Sequence, residues 1–479
     1  MGEYNLTDEN WIPTDKGLKS LKDIFNDTNI TLLSGNPIEK ISILKLLLAI
    51  AQRAYTPIDD DDWQDLGVDG LSKKCLEYLD KWYDKFYLFG DEPFLQMKVD
   101  GAKKETIKKL DPIFSSDNNS VIFYNQLERE YKNHEKAMLL LVQMGFSFSR
   151  GKKNGEKSKE YNSGFFLGNY KTPKTPKYQE DKGFIHSFFI GSSILDTIYL
   201  NLFCEDTIKE LYFFEKGIGI PAWEKMPESN TCNRANEIKN SFIGCLIPMC
   251  RFIYLDSKTV DVFIDNGIVY DKSDYIKNTT ITQINEKNFL HVELKKKPWR
   301  QLPAILQISS QKYGCLNINT HIERNVKYCD NLILWVGGLQ VKNSDQNDQN
   351  IKGNNDYLES LIKFSKIDID EIWYEQFKLE MNKLENLEYQ LKKSIEKYYE
   401  VQKEKDLSNY LYQFWELCEK HLNELLIACN NSNTSDIRKK FANIAYSLYD
   451  SACPKNSARQ ITIWAKNRPS FYKYINGGE

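Results

Sequence analysis

The last third of the chain carries a regular helical alternation of apolar and polar positions. Across residues 370–403, apolar side chains recur at steps of three and four residues, as one buried face of a helix requires. Similar patterns cover residues 407–430, 435–453 and 457–467, and prolines 454 and 469 separate them. Because short connections join these amphipathic segments, we predict an antiparallel four-helix bundle.

The first 350 residues show a different and less regular pattern. Helical spacing is clear at residues 38–53, 71–86 and 135–144, while short aliphatic and aromatic windows at 251–255, 260–264 and 332–336 predict strands. Residues 186–201 (HSFFIGSSILDTIYLN) are apolar nearly all round, which fits either a buried helix or a strand followed by a helix. This part should be an irregular mixture of helices and strands.

A polar run at residues 343–355 (NSDQNDQNIKGNN) separates the two patterns and is typical of a loop or linker. We therefore predict an α+β protein with a large mixed α/β domain over residues 1–350 and a C-terminal four-helix bundle over residues 356–479. A chain of 479 residues is too long for one ordinary core, which agrees with two or more domains.

The charge balance argues against a protein that coats nucleic acid nonspecifically, since the formal net charge is −3. One stretch departs from this average. Residues 150–182 hold nine basic and four acidic side chains, a net charge of +5, and glycines and prolines favour a loop there. The stretch is either a local phosphate-binding loop or an exposed insertion. The basic run 295–297 with Arg300 has the same two interpretations.

The ten cysteines include no CxxC pair, and the closest spacing is Cys245 to Cys250. Zinc sites usually place ligands two to four residues apart, so we expect reduced, buried thiols, no metal and no cofactor. The longest strongly apolar run, 41–50, is interrupted by Lys45 and is far shorter than the roughly twenty residues that span a bilayer. We therefore expect a soluble, cytoplasmic protein without a membrane partner.

Enzyme chemistry finds little support in the motifs. The acidic run Asp59–Asp62 could hold a metal for a nuclease, but four consecutive acids more often form a solvated loop. Five histidines are scattered without metal-ligand spacing, and there is no phosphate-binding glycine loop or nucleophile elbow. We expect a protein that is not an enzyme. A metal-dependent nuclease and a helical scaffold that never touches nucleic acid remain alternatives.

Three blocks follow one another in the first part of the chain: residues 5–13 (NLTDENWIP), 86–96 (FYLFGDEPFLQ) and 122–126 (IFYNQ). In this order they resemble the CasA family, the large subunit of the type I-E CRISPR surveillance complex Cascade. The resemblance implies a non-catalytic, RNA-guided subunit that recognises a short duplex motif, the PAM, and promotes strand separation and R-loop formation. It also implies the α/β domain and helical bundle that the patterns predict.

The resemblance assigns DNA-contacting roles to two early segments. Phe123 and Asn125 match a loop that helps to read the PAM and to engage the guide RNA. An aromatic ring can stack on a base and an amide can bond its edge, although a core phenylalanine and a turn asparagine are equally consistent. The family's glycine-containing minor-groove loop corresponds to residues 145–152 (GFSFSRGK). Its candidate contacts are Phe148, Ser149, Arg150, Gly151 and Lys152.

Two later residues match further elements of the family. Lys277 lies where relatives insert a lysine into the minor groove, and a solvated lysine is the alternative. Gln340 follows Gly337-Gly338, where relatives carry a wedge hairpin whose glutamine splits the first target base pair. Gln346 and Gln349 are rival candidates for that wedge. A hairpin tip suits this task, because unstacking a base step costs a few kcal/mol and needs inserted contacts.

The implied partners are a CRISPR RNA ribonucleoprotein with its backbone, handle-binding and small subunits, the target double-stranded DNA, and a trans-acting or complex-associated nuclease. In such a division of labour the guide RNA reads sequence by pairing while the protein reads the short motif.

Overall fold

The computed structural model describes a chain of mixed helices and small sheets. The described residues are 2–110, 129–146, 172–175, 178–180, 183–270, 272–286, 288–308, 313–340, 357–365, 369–399, 407–431 and 433–476. The strands are β1 Glu3–Asn5, β2 Ile12–Thr14, β3 Gly17–Lys19, β4 Tyr87–Phe89, β5 Lys103–Thr106, β6 Thr172–Thr175, β7 Tyr178–Glu180, β8 His186–Ile190, β9 Arg251–Leu255, β10 Asp261–Asn266, β11 Thr282–Gln283, β12 Gly314–Cys315, β13 Asn331–Leu339 and β14 Tyr357–Ser365.

Helices occur in both parts of the chain. They are α1 Leu21–Asn26, α2 Pro37–Ala54, α3 Asp60–Lys81, α4 Asn133–Gly145, α5 Ile194–Leu200, α6 Glu205–Glu210, α7 Asn233–Lys239, α8 Phe242–Leu246, α9 Leu302–Leu306, α10 Leu316–Tyr328, α11 Glu371–Tyr399, α12 Ser408–Glu419, α13 Leu422–Asn430, α14 Ser435–Ala452, α15 Ala458–Asn467 and α16 Tyr472–Ile475. Short 3-10 helices cover Tyr83–Phe86, Ile107–Leu110, Lys272–Lys277 and Pro298–Gln301.

The described strands form two three-stranded sheets, in the orders β5–β10–β9 and β14–β13–β8. In the first, β10 is antiparallel to both neighbours and pairs Val262 with Leu255 on one side and with Glu105 on the other. The remaining strands form the two-stranded pairs β1–β4, β2–β3, β6–β7 and β11–β12. The mixed α/β character predicted for the first part is confirmed.

The chain clusters into two compact units. The first comprises residues 1–294, 315–321 and 335–360, and the second comprises residues 295–314, 322–334 and 361–479. Two segments that precede the polar run thus cluster with the C-terminal helices. The domain boundary that we predict falls in residues 341–356, outside the described residues, and stays a prediction.

Helix α2 is the central element of the first unit. The Asn36 side chain accepts from the Glu39 N–H and the Glu39 carboxylate accepts from the Asn36 N–H, so a capping box starts the helix just before Pro37. Its residues are buried on nearly all sides, where α3, α4, α5 and α8 pack against it. An all-round apolar helix is one that a protein core surrounds.

The second unit is built on α11. Its apolar stripe, including Leu384, Leu387 and Leu391, is fully buried, and α12, α13, α14 and α15 pack against it. The helical pattern predicted for 370–403 is confirmed as far as Tyr399, and residues 400–406 lie outside the described part. The single helix predicted for 407–430 is two, α12 and α13, separated at Lys420 and His421.

One predicted helix begins much earlier than the pattern indicated. The prediction of 71–86 was wrong at both ends, because α3 runs from Asp60 to Lys81 and a 3-10 helix follows. Gly67, at φ 57°, lies outside helical geometry, so α3 consists of two helical segments that meet at a kink, and the predicted start at residue 71 falls within the second segment. For residues 186–201, the second alternative is correct: strand β8 is followed by helix α5.

Candidate nucleic-acid interface

The two segments that carry most of the predicted DNA contacts flank helix α4. Phe123 and Asn125 precede it, and Phe148, Ser149, Arg150, Gly151 and Lys152 follow it. All seven residues lie outside the described part of the chain, so their roles stay predictions. The structure describes helix α4 and the residues next to both segments.

The C-terminal end of α4 contacts the described residues that precede both segments. Gln143 Nε2 donates to the carbonyl oxygen of Leu110 at 2.5 Å, and Leu110 is the last described residue before the first segment. Phe146, the last described residue before the second segment, is buried, with its ring 5.6 Å from that of His186. The Cys250 N–H also donates to the Met144 carbonyl oxygen at 2.9 Å. Leu110 and Phe146, the last described residues before the two segments, therefore both lie at the C-terminal end of α4.

The N-terminal end of α4 is fixed by an exposed ion pair. Arg129 Nη1 lies 2.6 Å from Glu135 Oε1, and the guanidinium stacks 4.3 Å from the Tyr131 ring centroid. The Lys132 N–H donates to the other Glu135 oxygen at 2.9 Å. These contacts lower the pKa of Glu135 although partial burial opposes them. A carboxylate in the first turn also complements the helix dipole.

Lys277 ends the 3-10 helix Lys272–Lys277 and lies in a cluster of polar groups. Its ammonium is 2.9 Å from Asp274 Oδ1 and donates to Asn240 Oδ1 at 2.6 Å. Lys239 Nζ approaches the other Asp274 oxygen at 2.8 Å. The solvated-lysine alternative is wrong for this conformation, because Lys277 is only 8% exposed.

The cluster has a consequence for any DNA contact by Lys277. The Asp274 carboxylate contacts the amines of both Lys277 and Lys239. If Lys277 turned toward a nucleic acid, Asp274 would keep Lys239 as its counter-ion and would not be left as an unpaired buried charge. Asp274, Lys239 and Asn240 were not singled out from the sequence, since their contacts join α7 to a distant turn.

Gln340 lies directly after β13 rather than at the tip of a described hairpin. Strand β13 runs through Gly337 and Gly338 to Leu339, and Gln340 Oε1 accepts from the Leu294 N–H at 3.2 Å. A Cβ at Gly338 would lie 2.4 Å from the Phe184 carbonyl oxygen, so close packing explains this glycine without a turn. Gln346 and Gln349 lie outside the described residues, and the choice of wedge stays a prediction.

Within the second unit, acidic side chains pair with Lys297 of the basic run 295–297 and with Arg300. Lys297 Nζ lies 3.2 Å from Glu419, and Arg300 lies 3.6 Å from Glu385 with its guanidinium 3.6 Å from the Trp415 ring centroid. A stacked, paired arginine holds helices together. This arrangement favours a structural role for Arg300 over a phosphate contact.

The acidic run Asp59–Asp62 forms the start of α3 and not a solvated loop. The Asp59 side chain caps the helix by accepting from the Asp62 N–H, and Asp62 accepts from the Tyr55 hydroxyl and from the Ile58 N–H. Aspartates are favoured at a helix N-terminus because free N–H groups and the helix dipole attract them. Capping thus explains two of the four acids without a metal.

Among the described residues, no cysteine forms a disulfide, and most of the thiols are buried. Burial raises the pKa of Cys245 and of Cys315 to about 12, so both thiols are protonated near neutral pH. Within the described ranges, no group of three or more His, Cys, Asp or Glu side chains could hold a metal ion. The same ranges contain no helix that is both long and apolar enough to cross a membrane.

The model of one protein family, CRISPR-associated protein Cse1, matches residues 5–452. Among solved structures, Thermobifida fusca Cse1 is similar with a TM-score of 0.72 at 15% identity, covering 99% of both chains. Thermus thermophilus CasA (Cse1) has a TM-score of 0.69 at 16% identity, covering 97% of this chain and 98% of its own. No curated protein matches the sequence.

A chain of a CRISPR RNA-guided surveillance complex is similar over 98% of this chain and 99% of its own, with a TM-score of 0.69 and 13% identity. These identities are low, so the solved structures establish the fold. The family match spans nearly the whole sequence and includes the blocks 5–13, 86–96 and 122–126. The chain therefore belongs to the CRISPR-associated Cse1 family, and this confirms the resemblance to the large subunit of the type I-E Cascade complex that its three sequence blocks indicated.

Proposed function

We propose that the protein is the PAM-recognising large subunit of an RNA-guided, type I-E-like Cascade complex. It binds a ribonucleoprotein of CRISPR RNA with backbone, handle-binding and small subunits. It reads a short motif in duplex DNA, promotes strand separation and R-loop formation, and supports recruitment of a nuclease. The protein itself is not an enzyme, and it works in the cytoplasm.

The single observation that carries this proposal is the match to the Cse1 family over residues 5–452. The similarity to a chain of a CRISPR RNA-guided surveillance complex supports the ribonucleoprotein partner. The net charge of −3 is also consistent with a subunit that touches DNA through local elements, since a free-standing DNA-binding protein is usually basic.

The local geometry supports a role for the segments around α4. The last described residues before both segments lie at the buried end of α4, where Gln143 holds Leu110 and where Phe146 packs on His186. A rigid base of this kind lets loops present side chains to a ligand. We assign Phe123 and Asn125 to motif reading or assembly, residues 148–152 to the minor groove, Lys277 to a second groove contact and Gln340 to the wedge.

The experiment that tests the function is reconstitution of the full chain with guide RNA and the other Cascade subunits from its own source. Binding is measured to a guide-matched duplex whose flanking bases are randomised. We expect strong enrichment of a few flanking sequences only when this chain is present. Equal binding of all flanking sequences, or no assembly with the ribonucleoprotein, would contradict the proposal.

Variants at Phe123 and Asn125 separate a binding role from a core role. Phe123→Ala and Asn125→Ala should each weaken target binding while the melting temperature stays within about 1 °C of the unmodified chain. A variant that melts several degrees lower and binds normally once folded would indicate a structural role. Magnesium-dependent cleavage of DNA by the pure chain, abolished by Asp61→Ala, would instead establish the nuclease alternative.

A further inference from the structure

A run of buried polar contacts leads from helix α2 to the turn that carries Lys277. Lys45, in the middle of α2, donates from Nζ to Asn278 Oδ1 at 2.7 Å. The Thr280 hydroxyl donates to the same oxygen at 3.2 Å, and His186 Nδ1 lies 2.8 Å from that hydroxyl. All four side chains are at most 2% exposed. Buried polar groups that bond one another in this way restrict each other's rotamers.

Burying the amine of Lys45 among apolar side chains costs free energy of folding. Both neighbours of Lys45 in the sequence, Leu44 and Leu46, are fully buried, and α2 is enclosed on nearly all sides. Burial lowers the pKa of Lys45 well below its ordinary value, because the apolar surroundings disfavour the charged ammonium. A methionine has almost the same length and could pack there without this cost. The amine donates a hydrogen bond to Asn278 that a methionine could not make.

Asn278 is the residue directly after Lys277, and its position sets where the lysine side chain starts. The ammonium of Lys277 is held separately, by Asp274 at 2.9 Å and Asn240 at 2.6 Å. Lys45 thus holds the side chain of Asn278, the neighbour of Lys277, while Asp274 and Asn240 hold the Lys277 ammonium in the unbound chain. A contact residue needs its backbone placed to within a fraction of an ångström for its side chain to reach a ligand well.

We propose that Lys45 is a positioning residue for nucleic-acid recognition, which acts by holding Asn278 and thereby the backbone from which Lys277 reaches its ligand. This inference rests on the proposed function, because it takes Lys277 to be a groove contact. It assigns a functional reason to the one lysine that interrupts the apolar run 41–50.

The test uses Lys45→Met in the full chain, reconstituted with guide RNA and partner subunits, and a matched control. Gln52→Met is that control, because Gln52 is also a buried polar residue of α2, with Nε2 2.8 Å from the Phe203 carbonyl oxygen, but it does not contact the Lys277 turn. Affinity for the preferred flanking sequence should fall about 3- to 10-fold in Lys45→Met, in the range of known positioning effects. Gln52→Met should change the affinity of the folded protein less than twofold, by about the error of additivity.

A double-mutant cycle distinguishes positioning from general loosening. If Lys45 acts through Lys277, then Lys45→Met should add almost no further loss in a Lys277→Ala chain. Amide hydrogen exchange of the unbound chain should also rise in residues 274–281 for Lys45→Met and not for Gln52→Met. Asn278→Ala removes the acceptor instead of the donor and should give the same pattern, and it serves as the test if Lys45→Met does not fold.

The outcomes separate this inference from the proposed function. If the unmodified chain shows no preference for flanking sequence, both fail. If Lys277→Ala weakens binding but Lys45→Met behaves like Gln52→Met, the positioning role alone is overturned. Fully additive losses in the double variant, or unchanged hydrogen exchange around Asn278, overturn it as well.

Discussion

The two compact units bury different kinds of side chain. In the first unit, polar groups such as Lys45, His186 and Asn201 lie deep in the core and bond one another or the backbone. In the second unit, α11 and its neighbours meet mainly through apolar stripes, and the buried ion pair of Glu380 with Arg438 stands out among them. Irregular chain leaves many backbone groups that helices would satisfy internally, so buried side chains must bond them instead.

This difference bears on function. A helix pair with apolar stripes tolerates exchange of similar residues, because packing depends on volume and pattern. A hydrogen-bonded core fixes one geometry, since every unmet group is costly. The predicted DNA contacts that lie among the described residues, Lys277 and Gln340, both belong to the first unit. The more rigidly specified core is therefore the one that would hold them.

The largest expected effect concerns the buried ion pair of Glu380 with Arg438 in the otherwise apolar core of the second unit. Glu380 is 2% exposed, and its carboxylate meets Arg438 Nε at 2.8 Å and also Lys383 at 3.4 Å. Glu380→Ala leaves two cations uncompensated, so the free energy of unfolding should fall by about 3–5 kcal/mol in urea denaturation. The control Glu385→Ala, on the same helix with a half-exposed carboxylate 3.6 Å from Arg300, should cost about 0–1 kcal/mol. Equal losses would show that the second unit does not depend on its buried ion pair.

The next effect tests the polar core of the first unit. The Asn201 amide accepts from the Phe189 N–H and from Asn317 Nδ2, and it donates to the carbonyl oxygens of Phe189 and Thr197, all within 3.0 Å. Asn201→Ala leaves these buried partners unmet and should lower the free energy of unfolding by about 3 kcal/mol. Asn29→Ala removes an exposed asparagine and should change it by less than about 0.5 kcal/mol. A tolerated Asn201→Ala would contradict the hydrogen-bonded view of this core.

A third prediction separates the two described candidates within the first unit. Lys277→Ala should weaken binding to duplexes with the preferred motif by about 1–3 kcal/mol. Gln340→Ala should leave that first binding closer to normal and slow strand opening. A target with mismatched, pre-opened bases beside the motif should rescue Gln340→Ala and not Lys277→Ala. Equal rescue, or a defect in Gln346→Ala with none in Gln340→Ala, would show that the wedge lies elsewhere.

The last prediction concerns the pH dependence of the free energy of unfolding that Lys45, in the first unit, should contribute. The folded pKa of Lys45 is lowered, so the unfolded chain binds a proton that the folded chain does not, and stability should rise with pH between the folded value and about 10.4. The slope that Lys45 contributes is at most about 1.4 kcal/mol per pH unit. Lys45→Met should lack it, as denaturation curves of both chains from pH 7 to 10 would reveal. Parallel curves would mean that Lys45 stays charged in the folded protein.

The pattern of apolar positions was sufficient for the elements that bury one face. The stripe of α11, the strand β9 at Arg251–Leu255 and the capped helix α2 follow from spacing and end signals that lie within a few residues of one another. It failed at α3, because Gly67 divides the helix into two segments and the capping role of Asp59 depends on a helix that the pattern did not show.

For the candidate nucleic-acid interface too, some features follow from the sequence and others only from the tertiary structure. The sequence by itself determined the family, through three blocks whose residues and order need no tertiary contact, and it marked Lys45 as an anomaly in an apolar run. Asp274 is three residues from Lys277 on the same short helix, but only the tertiary structure brought Asn240 and Lys45 to this turn. The bond between Lys45 and Asn278 joins residues that are 233 positions apart. Hydrogen bonds over such separations leave no local pattern, since each partner is specified by where the chain folds and not by its neighbours in sequence.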